Sequence, residues 1–150
     1  MLTVATGCAT SPVGSTQNKS ECKPNFIIFL TDDQGYSDVG CFGSPDIRTA
    51  NFDRLAAEGI RLTSHYVGEP VCGPSRAALM TGSYPIRIAE PKNTKRLHTV
   101  LHNQDIAIPE LLKEQGYASA LIGKWHLGGS PNNQGFDYFF GTPFITGPQG

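Results

Sequence analysis

Three small groups of residues in this chain have the types and spacing that chemistry requires. Asp32 and Asp33 are adjacent carboxylates at the end of the apolar run 26–30. Neighbouring carboxylates repel, so holding both at a strand end calls for a cation or for basic side chains. An all-oxygen pair suits a hard cation such as calcium or magnesium, and a solvated acidic turn is the alternative. Successive strand residues point to opposite faces. Both acids can therefore converge on one ion only if the chain leaves the extended form, which Gln34-Gly35 makes easy.

Cys72 and Arg76 form the second group. They are four apart in GEPVCGPSRAALMTG, where Pro74 suits the first turn of a helix, so both fall on a common side of that turn. The start of a helix carries partial positive charge and unpaired N–H groups that attract anions, and Arg76 stays charged at any relevant pH. Cys72 is thus a candidate nucleophile, with a small packing residue as the alternative. Lys124 and His126 form the third group. Two apart at the end of a second expected strand, they would project to one face with Trp125 opposite. They read either as an anion clamp with a member that titrates near neutral pH or as a strand that has reached water. A cation site, a nucleophile and an anion clamp together suggest hydrolysis or transfer of a negatively charged group.

The elements that must carry these groups are short. NFIIFL is a continuous apolar run without alternation, as in a strand covered on both faces, and ligands in open α/β sheets gather where strands end. TANFDRLAAEGI reads as a helix, with Phe52, Leu55 and Ala56 at helical spacing and Gly59 to stop it. IRLTSHYV alternates and predicts a strand. SRAALMTG and IAIPELLKEQG predict two further helices, and YASALIGKWHLGG predicts a buried strand. Residues 83–104 read as polar and turn-like, and the aromatic, glycine-rich tail stops in a loop, its aromatic segments left unpaired by the three expected strands. The order predicts an α/β fold with a mostly parallel sheet flanked by helices.

A chain of 150 residues can bury an ordinary core. Its net charge of −1 and lack of a basic run argue against nucleic acid as a partner, and no apolar stretch approaches the length of a transmembrane segment. The four cysteines, Cys8, Cys22, Cys41 and Cys72, show no CxxC pairing, which disfavours zinc-ribbon and thioredoxin-like readings. Residues 1–23 are small, polar and turn-rich and read as a flexible lead-in or the remnant of an export signal. VATGC faintly resembles a lipoprotein cleavage region, and Asn18-Lys19-Ser20 fits a glycosylation sequon.

Four segments resemble one family. CGPSRAALMTG resembles the sulfatase signature C-x-P-S-R followed by a small apolar helix and T-G. GYASALIGKWHLG resembles the second sulfatase signature, NFIIFLTDDQGYSDVGCFG the family's opening strand, and GFDYFFG a segment shortly after the second signature. Separated motifs in the right order are far more specific than any one pattern. The resemblance implies an alkaline-phosphatase-like α/β fold. It also implies that residues 24–150 are the N-terminal part of a catalytic domain, incomplete and inactive alone, since sulfatases are longer and place further calcium ligands later in the chain.

By the same resemblance, Cys72 would be oxidised by a formylglycine-generating maturation enzyme, and the hydrated aldehyde would attack the sulfur of a sulfate ester and later expel sulfate. An unmodified thiol lacks that second exit. Arg76 would hold the hydrate. Asp32, Asp33 and the group made from Cys72 would surround a calcium ion that polarises sulfate oxygens. Lys124 would neutralise the transferring group, and His126 would assist proton removal. The substrate would be an aryl sulfate or a sulfated carbohydrate, and the location extracytoplasmic. Rival readings are a phosphonate or phosphodiester hydrolase of the same superfamily and a non-catalytic anion-binding remnant. His65, His98 and His102 lie outside the motifs and read as surface or loop residues.

Overall fold

Asn25–Leu30 forms a strand, β2, as its aromatic and β-branched side chains favour. In the computed structural model, which describes residues 2–7, 23–88 and 101–143, it pairs antiparallel with β1, Leu2–Gly7, in the register Leu2↔Leu30 through Gly7↔Asn25. Part of the stretch read as a lead-in is therefore a strand. Cys8, Cys22, the sequon and His98 lie outside the described residues. β2 was expected to be covered on both faces, yet Phe26, Ile27, Ile28 and Phe29 are 39–53% exposed. A two-stranded ribbon covers a strand's edge but neither of its faces, so the apolar run by itself does not secure burial.

The chain divides into two units, Met1–Leu62 and Thr63–Gly150. In the first, β2 gives way to a bend at Asp32-Asp33 and two single 3₁₀ turns, Tyr36–Asp38 and Gly40–Phe42. Val39 between the turns is fully buried. Helix α1, Ala50–Glu58, follows where the periodicity predicts it, and the Gly59 N–H closes it on the Leu55 carbonyl at 3.0 Å. The strand expected over IRLTSHYV does not form. Ile60, Leu62, Tyr66 and Val67 are all exposed, and this segment has no ladder partner among the described residues. Alternation selects which face of a strand is apolar, but only a neighbouring edge can satisfy its backbone.

In the second unit, helix α2 spans Cys72–Thr81, with Pro74 in its first turn and Gly82 capping it in the left-handed region at φ 64°. A short helix, α3, Pro85–Ile88, appears inside the stretch read as turn-like. Helix α4, Ile108–Glu114, starts where Glu110 reaches back to accept the Ala107 N–H at 2.8 Å. Strand β3, Ala120–Lys124, pairs in parallel with β4, Tyr138–Thr142, in the register Ala120↔Tyr138 through Lys124↔Thr142. The aromatic tail, left unpaired in the sequence reading, thus supplies a partner strand for β3. Asp137 just before β4 accepts from Lys113 Nζ at 2.8 Å and from the Ser119 N–H at 2.9 Å, tying α4 to the starts of both strands. The core consists of Ala77, Ile88, Leu101, Trp125 and Leu127, with Met80, Leu121, Phe136 and Phe139 packed on it.

Candidate active site

Cys72 is the first residue of α2 and is half-buried as a free thiol. The N–H groups of a first helical turn have no intrahelical acceptors, so a group at this position meets backbone donors and the positive end of the helix. One turn further, Arg76 donates from Nη1 to the backbone carbonyl of Lys124 at 2.6 Å, across 48 positions of sequence. That hydrogen bond joins the cysteine-bearing helix to the end of β3. The next residue, Ala77, is fully buried against the cluster that contains Trp125 and Leu127, so α2 is also packed where it is hydrogen-bonded.

Trp125 holds the other side of this junction. It is 1% exposed, donates from Nε1 to the Gly128 carbonyl at 2.7 Å, and meets Phe136 edge to face at 6.0 Å. A buried indole with its one donor satisfied leaves little freedom to its neighbours Lys124 and His126. The expectation that these two share a face by strand alternation needs correction. β3 ends at Lys124, and His126 sits in the left-handed region at φ 62°, so a period of two no longer sets its direction. His126 is 9% exposed, and its N–H donates to the Pro143 carbonyl at 3.2 Å. A non-glycine residue in this conformation costs about 1–2 kcal/mol, which is the kind of strain that accumulates at functional sites.

Asp32 and Asp33 belong to the first unit. Both are exposed, and the strand has ended before them. Asp33 adopts φ 51°, so the chain leaves the extended form as two converging carboxylates require. The donor chemistry fits a hard cation, which takes oxygen ligands. No group of three or more His, Cys, Asp or Glu side chains gathers into a metal shell among the described residues.

The first unit also contains a network that sequence reasoning passed over. Asp38 Oδ2 accepts the Gly35 N–H at 2.7 Å. Asp53 Oδ1 accepts the Cys41 N–H at 2.7 Å and the Thr49 hydroxyl at 3.0 Å, and Thr49 Oγ1 accepts the Gly40 N–H at 2.8 Å. Arg61 donates to the Cys41 carbonyl and lies over the Phe42 ring at 5.8 Å, while Tyr36 stacks on that ring at 4.5 Å. Only the close sequence of Thr49 and Asp53 at the start of α1 offered a signal, and it reads equally well as ordinary helix-start chemistry. His65 is exposed, and His102 sits in a loop where its N–H donates to Asp105 Oδ2 at 2.8 Å, as their positions outside the motifs led us to expect.

The sulfatase family model matches residues 24–147. The chain is 43% identical over 142 residues to steryl-sulfatase of Homo sapiens, covering 83% of this chain and 24% of that protein. It is 43% identical over 133 residues to N-acetylgalactosamine-6-sulfatase of Canis lupus familiaris, covering 80% and 26%. Among solved structures, Ps i-CgsB superposes with a TM-score of 0.65 at 44% identity over 75% of this chain and 27% of that one, and it has also been solved with k-i-k-neocarrahexaose. The α/β fold is that of the sulfatases, and the chain belongs to the sulfatase family. It spans about a quarter of the length of the curated relatives it matches.

Proposed function

We propose that this chain carries part of the active site of a formylglycine-dependent sulfuric ester hydrolase. The observation that carries the reading is the hydrogen bond from Arg76 to the Lys124 carbonyl, which brings the two signature segments together in one unit. A formylglycine made from Cys72 by a maturation enzyme would supply a geminal diol as nucleophile, and a half-buried position at a helix start, one turn from a guanidinium, suits such a group. A calcium ion on Asp32 and Asp33 would supply charge to polarise sulfate oxygens.

The chain's own residues then have distinct tasks. Arg76 holds the group at position 72 by hydrogen bonding and keeps the helix start anchored to β3. Lys124 brings a compact positive charge toward the sulfuryl oxygens. His126, fixed by its buried neighbour and its left-handed backbone, takes and returns a proton near the group at position 72. The substrate class is an aryl sulfate or a sulfated carbohydrate, and the protein acts outside the cytoplasm. Among the described residues, no helix is long and apolar enough to cross a membrane.

Mass spectrometry of the Cys72 peptide after co-expression with a formylglycine-generating enzyme tests the reading directly. The expected result is conversion of the thiol to the aldehyde, and an unmodified thiol would remove the nucleophile. Turnover of aryl sulfate against aryl phosphate esters by the complete enzyme decides the reaction: sulfate should be preferred, and a preference for phosphorus esters would replace this reading with a phosphohydrolase.

A further inference from the structure

We propose that Asp53 is a positioning residue for the Asp32-Asp33 cation site, acting with Thr49 to fix the turn on which the carboxylate bend is seated. The inference rests on reading Asp32 and Asp33 as calcium ligands. It concerns residues of the first unit only.

The two carboxylates lie past the end of β2, in a bend that lacks ladder hydrogen bonds of its own. The residues just after that bend are tied to firmer structure. Asp38 Oδ2 closes the turn after Gln34 by accepting the Gly35 N–H at 2.7 Å. The Tyr36 ring packs on Phe42 at 4.5 Å, so the place of Phe42 sets where the start of this turn can rest. Phe42 in turn belongs to the turn Gly40–Phe42, whose Gly40 and Cys41 N–H groups are both bound by the Thr49 and Asp53 side chains. One oxygen of Asp53 accepts both the Cys41 N–H and the Thr49 hydroxyl, which makes it the hub of the clamp. The fit is close: a Cβ at position 40 would stand 2.6 and 2.8 Å from the Asp53 carboxylate oxygens, so glycine is required for that carboxylate to reach the turn. Arg61, over the Phe42 ring and on the Cys41 carbonyl, completes the hold. The carboxylates themselves are exposed and on irregular backbone, so this support helps to define their separation. Residues that orient metal ligands typically change affinity 10–100-fold when removed.

Calcium affinity of the complete enzyme, measured by isothermal titration calorimetry, tests the proposal without recourse to turnover. Asp53→Leu should weaken binding by about tenfold or more, while Asp53→Asn, which keeps the accepting oxygen, should stay within about twofold of the parent. Lys113→Ala, which loosens the other unit, should lower the melting temperature and leave calcium affinity unchanged. Should Asp53→Leu fail to fold, Thr49→Val removes the hydroxyl between Gly40 and Asp53 and should weaken binding several-fold. A folded Asp53→Leu or Thr49→Val protein that binds as the parent does would overturn the clamp. So would Asp53→Asn losing as much as Asp53→Leu, since charge and not placement would then be at work. A parent protein that takes up no calcium at all overturns the reading of Asp32 and Asp33, and the clamp with it, before any variant is made.

Discussion

The two units hold their candidate functional residues by different means. In the second, Cys72 and Arg76 stand on a helix, Lys124 ends a strand, and both elements rest on fully buried Ala77, Trp125 and Leu127. In the first, Asp32 and Asp33 occupy an exposed bend at the end of a solvent-exposed strand, and side chains clasp the irregular backbone that follows. Placement by core packing is robust and comes at the cost of little motion. Placement by a loop network is softer and makes that segment sensitive to single hydrogen bonds.

The largest effects should separate these two modes of support in the complete enzyme. Arg76→Ala should lower kcat/KM by roughly 100–1,000-fold, with no recovery at any calcium concentration, because it removes charge stabilisation and the tie to Lys124. Asp33→Asn should cost about tenfold or more and be restored in part by excess calcium. Calcium rescue of Arg76→Ala would break the distinction. Next in size, Trp125→Ala should destabilise the second unit by about 3–5 kcal/mol in urea denaturation, the usual cost of truncating a fully buried aromatic side chain. A loss below about 1 kcal/mol would mean that packing does not hold Lys124 and His126.

The smallest effect is a pH dependence at the edge of the second unit. The hydrogen bond from Lys113, helped by the Ser119 N–H, holds the Asp137 carboxyl below the ordinary value of 3.8. A carboxyl depressed in the folded state adds stability that is fully present above its unfolded value and is lost as pH falls through the folded one. Melting curves of Asp137→Asn and the parent should therefore differ at neutral pH and converge in acid below about pH 3.8. A gap that persists there would assign the effect to packing and not to charge.

Much of the site was legible as chemistry before it was visible as geometry. The types and spacing of Asp32-Asp33, Cys72-x-x-x-Arg76 and Lys124-x-His126 single these residues out as candidates for a hard-cation site, a helix-start nucleophile and an anion clamp. Helices α1, α2 and α4 follow from apolar spacing, proline in the first turn, and terminating glycines, all of which act within a few residues. The alternating stretch at 60–67 and the apolar run of β2 were misread for one reason. Strand formation and burial both need partners distant in sequence, and pattern alone cannot supply them. β4 is the counterpart: the aromatic segment FDYFFG has no assigned partner until β3 lies beside it.

The sequence by itself determined the family, the candidate reactive groups and most local helices, because signatures and helix signals are written in neighbouring residues. Only the tertiary structure decided that Arg76 meets the carbonyl of Lys124, that His126 turns into left-handed backbone beyond the end of β3, and that Asp53 reaches back to the turn after the carboxylate pair. Each of these depends on which surfaces pack and which backbone groups need partners once the chain is compact, a condition that no short window of sequence contains.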